Sequence, residues 1–157
     1  MSQKILIICI GNICRSPMCE AIFSDKFGKH SSYNVSSAGL GALVDSPADP
    51  FAQKLMLEKG LDIGAHRARQ ITREMLLTSD IIFTMSTRQQ EDIEIMMPSL
   101  RGRIYRLGNW GGYDVPDPYQ RPIEAFEQAL TLIEQGIEDW FAKLWNGYVK
   151  KNECAQS

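Results

Sequence analysis

Four short segments of the chain have the pattern of buried β-strands. They are "KILIIC" (residues 4–9), "YNVSSAG" (33–39), "IIFTM" (81–85) and "RIYRL" (103–107). The first and third segments are apolar at nearly every position, which is typical of strands that are covered on both faces.

Two helices are predicted between the first and third strands. Ser16 and Pro17 have the residue types of an N-cap and a first helical residue, and they predict a helix that ends near Phe27. The segment "SPADP" predicts the start of a second helix, which ends near Lys59 before a glycine.

Three further helical segments follow. "ITREMLL" predicts a short helical turn, and "STRQQEDIEIMM" predicts a helix with a capping box from Ser86 to Gln89 that stops before Pro98. The last helix has the strongest pattern, because apolar residues recur at three- and four-residue steps from Ile123 to Tyr148.

Strands that alternate with helices predict an α/β fold. We expect a single three-layer domain, with a four-stranded parallel sheet and helices on both faces, over residues 1–150, and a flexible tail at 151–157. In such sheets the ligand binds beyond the carboxyl ends of the strands. "CIGNICRS" follows the first strand and "DVPDPY" follows the fourth, so both turns point to that edge.

Composition narrows the function classes. The chain has 157 residues, 44% of them hydrophobic, and a net charge of -2, which argues against nucleic acid or an anionic membrane as the main partner. The N-terminal apolar run is too short to span a bilayer and lacks a cleavage site, so we expect a soluble, cytoplasmic protein.

The cysteines and histidines suit neither a disulfide framework nor a zinc site. Three of the four cysteines lie within eleven residues, and the fourth, Cys154, lies in the polar tail. His30 and His66 have no zinc-finger spacing. We therefore expect no metal and no cofactor.

The turn after the first strand has the residues of an anion-binding cradle. Backbone N–H groups at a helix N-terminus attract an anion, and Gly11 and Asn12 tolerate the positive φ that such a loop needs. Arg15 offers a bidentate donor for phosphate. Cys9 at the start of the loop is predicted to ionise readily and to act as a nucleophile on phosphorus, with a hydrogen bond from Ser16.

The loop after the fourth strand supplies a candidate acid. Asp117 is placed to protonate a leaving group, although an Asp-Pro pair is also ordinary turn chemistry. Tyr119 offers an aromatic wall for a substrate ring, and Trp110 and Tyr113 are further candidates for the mouth of the site.

Other residues have simpler interpretations beside the functional ones. Cys14 is either filler or a regulatory thiol, and Cys19 is predicted to be core. His66 is more often a structural histidine than a catalyst.

The motifs "CIGNICRSP", "SSAG", "HRARQIT" and "DPY", in this order, resemble the low-molecular-weight protein tyrosine phosphatases. "SSAGLGALV" and "LGNWGGYDVPDPY" resemble the bacterial Wzb-type branch, which is associated with capsule and exopolysaccharide export. The resemblance implies a cytoplasmic, metal-free hydrolase with a cysteinyl-phosphate intermediate. It implies as partner a phosphotyrosine protein, namely an autophosphorylating capsule or exopolysaccharide tyrosine kinase, and we expect the phosphatase to be a monomer.

The resemblance also assigns roles to residues. Cys9 is the nucleophile, Arg15 the phosphate clamp and Asp117 the general acid. Backbone N–H groups of the loop bind the phosphate; they belong to Ile10, Gly11, Asn12, Ile13, Cys14, Arg15 and Ser16. Four side chains hold the loop in shape: Asn12, Ser16, Ser37 and His66. Cys14 forms a reversible disulfide with the nucleophile under oxidation. Leu40 or Leu43 takes the place of an aromatic wall seen in eukaryotic members.

Three other functions are consistent with parts of this sequence. A thiol-dependent arsenate reductase shares this loop, but it needs further cysteines in the middle of the chain, and residues 20–153 contain none. A non-catalytic phosphotyrosine-binding module needs neither a nucleophile nor an acid. A redox sensor built on Cys9 and Cys14 is compatible with catalysis. We therefore predict hydrolysis of phosphotyrosine on a protein.

Overall fold

A four-stranded parallel sheet lies at the centre of the computed structural model, which describes residues 3–28 and 32–145. The strands are β1 (Gln3–Cys9), β2 (Tyr33–Gly39), β3 (Ile81–Thr84) and β4 (Ile104–Arg106). They lie in the order β2-β1-β3-β4, and each pair of neighbours is parallel. The predicted α/β fold with a four-stranded parallel sheet is confirmed.

In the described part of the chain, five α-helices connect and cover the strands. They are α1 (Arg15–Phe27), α2 (Pro50–Glu58), α3 (Arg73–Thr78), α4 (Thr87–Met96) and α5 (Ile123–Trp140). A 3₁₀ turn at Pro98–Leu100 follows α4. Each predicted helical segment within the described residues is present.

Strand β1 shows why its sequence is apolar throughout. Ile5, Ile7 and Cys9 contribute to a core cluster that includes residues of α1, α2 and α5. Leu6 and Ile8 point the other way, into a second cluster with residues of α3 and α4. Because successive side chains of a strand alternate between faces, a sheet with helices on both sides needs apolar residues at every position.

The start of α1 differs from the prediction. The helix begins at Arg15, and Cys14 occupies the cap position without a side-chain capping bond. Ser16 is therefore not the N-cap. Its hydroxyl instead lies 2.8 Å from the Cys9 sulfur. The predicted end is correct, since the helix stops at Phe27 and Gly28 follows with φ 85°.

The capping of α4 agrees with the prediction in one half only. The Ser86 hydroxyl accepts a hydrogen bond from the Gln89 N–H at 3.2 Å. The Gln89 carboxamide oxygen, however, accepts from the N–H of Met85 at 2.8 Å rather than from that of Ser86.

The last helix ends in a π-helical turn. α5 stops at Trp140, and a π-helical turn continues from Phe141 to Trp145. The prediction that the helix extends to Tyr148 lies outside the described residues, as do the predicted flexible tail and Cys154.

Three loops meet at the carboxyl edge of the sheet. We call them the cysteine loop (residues 9–16, including the first turn of α1), the rim loop (40–49) and the aspartate loop (107–122). The aspartate loop leaves β4 and must pass over the end of β3 to reach β1, because β3 lies between them. It does so through a hydrogen bond from the Val115 N–H to the Met85 carbonyl at 2.8 Å.

Within residues 3–28 and 32–145, no helix combines the length and the apolar content that crossing a membrane requires.

Candidate active site

The backbone of the cysteine loop turns its carbonyl groups outward. Five consecutive carbonyls, from Cys9 to Ile13, accept hydrogen bonds from groups outside the loop. The donors, at 2.7 to 3.1 Å, are the N–H groups of Leu40, Gly41, Leu43 and Asp49 and the imidazole of His66. In a trans peptide unit the N–H points opposite to the carbonyl, so the amides of residues 10–14 face the inside of the loop. The loop is therefore a ring of donors suited to an anion.

Two positions make this turn possible. Asn12 has φ 60°, in the left-handed region that asparagine tolerates better than most residues. Gly39 lies so close to the loop that an added Cβ would come within 2.3 Å of the Ile10 carbonyl oxygen. A side chain at residue 39 would thus displace the cradle.

The Cys9 thiol lies at the bottom of this ring. Its Sγ is 2.8 Å from the Ser16 Oγ, and it accepts a hydrogen bond from the Asn12 N–H at 3.3 Å. Only 2% of Cys9 is exposed, so its reactive face opens only toward the inside of the loop. The structure thus brings Ser16 to the thiol, as the motif predicted, although Ser16 does not cap the helix.

The Asn12 side chain fixes the direction of the hydrogen bond to Cys9. Its Oδ1 accepts from the N–H of Arg69 at 2.9 Å, and this donor settles the orientation of the amide. Its Nδ2 then donates to the hydroxyls of Ser16 at 2.7 Å and Ser37 at 3.0 Å. Because the Ser16 oxygen already accepts a bond from Asn12, its own proton is free to point at the sulfur.

His66 supports the same loop from outside. Its Nε2 lies 2.7 Å from the Asn12 carbonyl oxygen, which can only accept, so His66 donates from Nε2. The predicted supporting group of Asn12, Ser16, Ser37 and His66 is therefore assembled around one asparagine. Arg69 was missed by the sequence analysis. It also donates from Nε to the Ser37 carbonyl at 2.8 Å.

Arg15 connects the cysteine loop with the aspartate loop. Its Nη1 donates to the Val115 carbonyl at 2.8 Å, and its Nη2 lies 3.7 Å from Asp117 Oδ2. Its Nε is the one buried side-chain nitrogen or oxygen in residues 3–28 and 32–145 that has no hydrogen-bond partner. Since a buried donor normally finds an acceptor, this N–H is suited to an anion held in the ring of amides.

Asp117 stands at the mouth of the site. Its side chain is 47% exposed, and Oδ1 accepts from the Tyr119 N–H at 3.1 Å in a local turn. The carboxyl group is therefore reachable both by solvent and by a ligand seated on the cysteine loop.

A narrow cavity of about 120 Å³ joins these groups. It is lined by Cys9, Ile10, Gly11, Ile13, Cys14, Arg15, Gly41, Leu43, Asp117 and Tyr119. The predicted nucleophile, clamp, acid and aromatic wall thus face a common space. Its apolar walls suit a flat ring better than a charged group.

Three aromatic or apolar predictions need correction. Leu40 does not line the cavity, because its side chain packs against the second core cluster, which contains residues of α3 and α4. Leu43 lines the cavity instead. Trp110 packs on Trp140 of α5, with ring centroids 5.3 Å apart. Tyr113 donates its hydroxyl proton to the Leu132 carbonyl at 2.7 Å and does not line the mouth either.

Cys14 and Cys19 are the other two described cysteines. Cys14 lines the cavity but is mostly buried; burial and the nearby Asp49 and Asp117 raise its pKa well above that of an ordinary thiol. Cys19 is fully buried in the core, as predicted, and burial raises its pKa as well. Both are therefore protonated thiols at neutral pH.

A larger cleft of about 560 Å³ lies on the other side of α1. Glu20, Asp62 and His66 are among its lining residues, and burial raises the pKa of the Glu20 carboxyl against the opposing effects of Ser37, His66 and Arg69. None of the three described cysteines lines this cleft, so the smaller cavity is the candidate active site.

Comparisons with known proteins point in one direction. The family model of the low molecular weight phosphotyrosine protein phosphatases matches residues 4–151. The probable low molecular weight protein-tyrosine-phosphatase EpsP of Ralstonia nicotianae is 40% identical over 144 residues, which cover 92% of this chain and 97% of that protein.

Solved structures agree with this match. Vibrio vulnificus Wzb in complex with benzylphosphonate superposes with a TM-score of 0.84 at 34% identity, covering 92% of this chain and 100% of that one. The YwlE arginine phosphatase from Geobacillus stearothermophilus has a TM-score of 0.84 at 28% identity, covering 94% of this chain and 96% of that one.

Proposed function

The chain belongs to the low molecular weight phosphotyrosine protein phosphatase family, and from this premise we propose that Cys9, Arg15 and Asp117 carry out its catalysis. The protein is an enzyme, a protein-tyrosine-phosphatase. The observation that carries the proposal is the common cavity, in which the Cys9 thiol lies beneath a ring of amides and Asp117 stands at the mouth. Arg15 contacts the aspartate loop through the Val115 carbonyl and the Asp117 carboxylate.

In the first step the Cys9 thiolate attacks phosphorus, and a sulfur–phosphorus bond forms as the bond to the tyrosine oxygen breaks. The Asp117 carboxyl gives its proton to that oxygen, so that tyrosine leaves as a neutral phenol. The loop amides and the Arg15 guanidinium hold the three equatorial oxygens of the transferring group.

In the second step a water molecule attacks the cysteinyl phosphate. The Asp117 carboxylate accepts a proton from this water, and inorganic phosphate leaves as the Cys9 thiolate is restored. The Ser16 hydroxyl, 2.8 Å from the sulfur, stabilises the thiolate as a leaving group.

The walls of the cavity support phosphotyrosine as the substrate. Ile10, Leu43 and Tyr119 provide apolar and aromatic surface around the cradle. A phosphoarginine guanidinium, the substrate group implied by the name of one structural relative, would favour an acidic wall. Among the described residues that line the cavity, Asp117 is the one carboxylate, and the mechanism already uses it.

We further propose that the physiological substrate is an autophosphorylating tyrosine kinase of capsule or exopolysaccharide production. The support is the 40% identity to EpsP and the likeness to Wzb, together with the motifs that resemble the Wzb-type branch. Dephosphorylation of such a kinase by this chain, compared with an unrelated phosphotyrosine protein, measures the preference.

The central test is phosphate release from matched peptides that carry phosphotyrosine, phosphoserine or phosphoarginine, with a chelator present. We expect release from phosphotyrosine, loss of turnover in Cys9→Ser, and a decrease of about 100-fold in Asp117→Asn for the phenolate leaving group. Asp92→Asn, an exposed aspartate of α4, is the control and should retain activity.

Several outcomes would contradict the proposal. Release from phosphoarginine alone would assign the enzyme a different substrate. Arsenate reduction is assayed on the same sample, and arsenate reduction without release from any peptide would make the protein a reductase. Full activity of Asp117→Asn on phosphotyrosine would require another acid.

A further inference from the structure

A second aspartate of the aspartate loop holds the loop in place. Asp114 lies three residues before Asp117, and its Oδ1 accepts three hydrogen bonds. The donors are the Thr87 N–H at 3.1 Å, the Thr87 hydroxyl at 3.4 Å and the Arg106 Nη1 at 3.0 Å. Arg106 Nη1 also donates to the Thr87 hydroxyl at 3.0 Å, which closes a triangle.

This triangle joins three separate elements. Thr87 is the first residue of α4, Arg106 is the last residue of β4, and Asp114 belongs to the aspartate loop. A carboxylate at the first N–H of a helix is stabilised by the helix dipole. Although burial opposes ionisation, the hydrogen bonds from Arg106 and Thr87 lower the pKa of Asp114, so its charge is kept at neutral pH.

The chain after Asp114 is short and stiff. Val115 is bound on both sides, by its N–H to Met85 and by its carbonyl to Arg15. Pro116 and Pro118 then flank Asp117, and a proline restricts both its own backbone and that of the preceding residue. The direction in which Asp117 leaves the sheet edge is therefore set by residues 113–115.

We propose that Asp114 is a positioning residue for Asp117: it ties the aspartate loop to α4 and β4, so that the acid stands over the cysteine loop. The inference rests on the proposed function, in which Asp117 protonates the leaving group. Asp114 itself does not line the cavity and touches no reacting atom.

The test compares two leaving groups. Phosphotyrosine needs a proton from Asp117, whereas dinitrophenyl phosphate releases an anion that is stable without one. Because Asp117 also acts in the second step, which both substrates share, the comparison uses kcat/KM, which reports the first step alone. We expect Asp114→Ala to lower kcat/KM for phosphotyrosine by about 10-fold and to change kcat/KM for dinitrophenyl phosphate by less than about 2-fold. Asp114→Asn keeps the accepting Oδ1 and should restore most of the loss.

Two controls separate positioning from a general structural effect. Asp92→Ala, at an exposed site on α4, should leave both substrates unchanged. In an Asp117→Asn background, Asp114→Ala should have no further effect on phosphotyrosine, because the group through which it acts is already removed.

The results that overturn the inference are distinct from those that overturn the proposed function. Equal losses of kcat/KM on both substrates, unchanged kcat/KM in Asp114→Ala, or additive losses in the double variant would show that Asp114 does not act through Asp117. If Asp117→Asn itself left phosphotyrosine turnover unchanged, the assignment of the acid would fail first.

Discussion

The two loops that form the site are built in different ways. Apart from Ile10 and Gly11, the cysteine loop is buried, and it is held by a network centred on Asn12, in which side-chain and backbone groups bond to one another. The aspartate loop is largely exposed and is fastened at separate points, by Tyr113, Asp114 and Val115.

The difference follows from what each loop does. A ring of amides binds phosphate tightly only if every amide is fixed before the ligand arrives, which favours a rigid, fully bonded loop. The acid must reach a substrate that enters from solvent, so it needs an exposed position with a few anchors. Variants in the first loop should therefore affect both stability and chemistry, and variants in the second mainly proton transfer.

The largest expected effect comes from removing the Asn12 side chain. Because Asn12 has φ 60°, Asn12→Gly removes the amide without adding backbone strain. It removes the donor to the buried Ser16 and Ser37 hydroxyls and the acceptor of the Arg69 N–H, and we expect it to lower the free energy of unfolding by about 2 to 4 kcal/mol. We expect kcat to fall by at least about 100-fold on both leaving groups.

The matched control for this variant lies in the other loop. Asn109 is exposed, and Asn109→Gly should change the free energy of unfolding by no more than about 0.5 kcal/mol. Chemical denaturation and steady-state kinetics of the two variants measure the contrast. A similar loss of stability in both would mean that the two loops are not built differently.

A second large effect concerns oxidation in the cysteine loop. We expect peroxide to oxidise Cys9 to a sulfenic acid. The Cys14 sulfur then attacks the sulfenic sulfur, and the hydroxyl leaves as water with the thiol proton, so that a disulfide forms. Reduction should restore the activity of the wild type, whereas Cys14→Ser should lose activity irreversibly as Cys9 oxidises further. Cys19→Ala, in the core, should recover like the wild type.

The mass of the wild type and of the two variants is measured before and after reduction to detect the disulfide. The activity recovered after reduction is measured on the same samples. Irreversible loss in the wild type, or full recovery in Cys14→Ser, would show that Cys14 does not protect the nucleophile.

A smaller effect is expected from one anchor of the aspartate loop. Tyr113→Phe keeps the ring, which packs closely against Gly108 and Gly111, and removes only the hydrogen bond to the Leu132 carbonyl. We expect a loss of about 1 kcal/mol in stability and a loss of less than about 3-fold in kcat/KM, confined to phosphotyrosine. Tyr105→Phe, which removes a bond to the Gly102 carbonyl far from the cavity, should lose stability without this selectivity.

The sequence predicts the cysteine loop better than it predicts the aspartate loop. The strands, the helices and the Cys9–Arg15 cradle follow from local patterns, because the residues that matter are adjacent in the chain. Asp117 could be placed by strand order alone. Its anchors could not, because Thr87, Arg106 and Asp114 meet only after the aspartate loop has crossed β3.

The rim loop shows the same limit. Leu40 and Leu43 were equal candidates for the wall of the cavity in the sequence. Gln70 decides between them, because its carboxamide accepts from the Ala42 N–H at 2.9 Å and donates to the Leu40 carbonyl at 2.8 Å. A residue thirty positions away thus shapes the rim loop, and no local pattern shows that pairing.

The smallest expected effects are the pH-dependent contributions of two carboxyl groups to stability, and these have opposite signs. Asp114 has a lowered pKa in the folded protein, so its charge contributes stability above the ordinary value of 3.8, and this contribution is lost as the pH falls. Glu20, behind the cysteine loop, has a pKa raised mainly by burial. Its contribution is present below the ordinary value of 4.5 and is lost as the pH rises through its folded value.

At pH 7 we therefore expect Asp114→Asn to lower the melting temperature slightly and Glu20→Gln to raise it slightly. Each variant should change the free energy of unfolding by less than about 1 kcal/mol. Both differences should shrink toward about pH 3, where each carboxyl is largely protonated in the unfolded chain. Melting curves of the two variants and the wild type across this range measure the effect. If both variants shifted the melting temperature in the same direction at pH 7, the charges of Glu20 and Asp114 would not have opposite effects on stability.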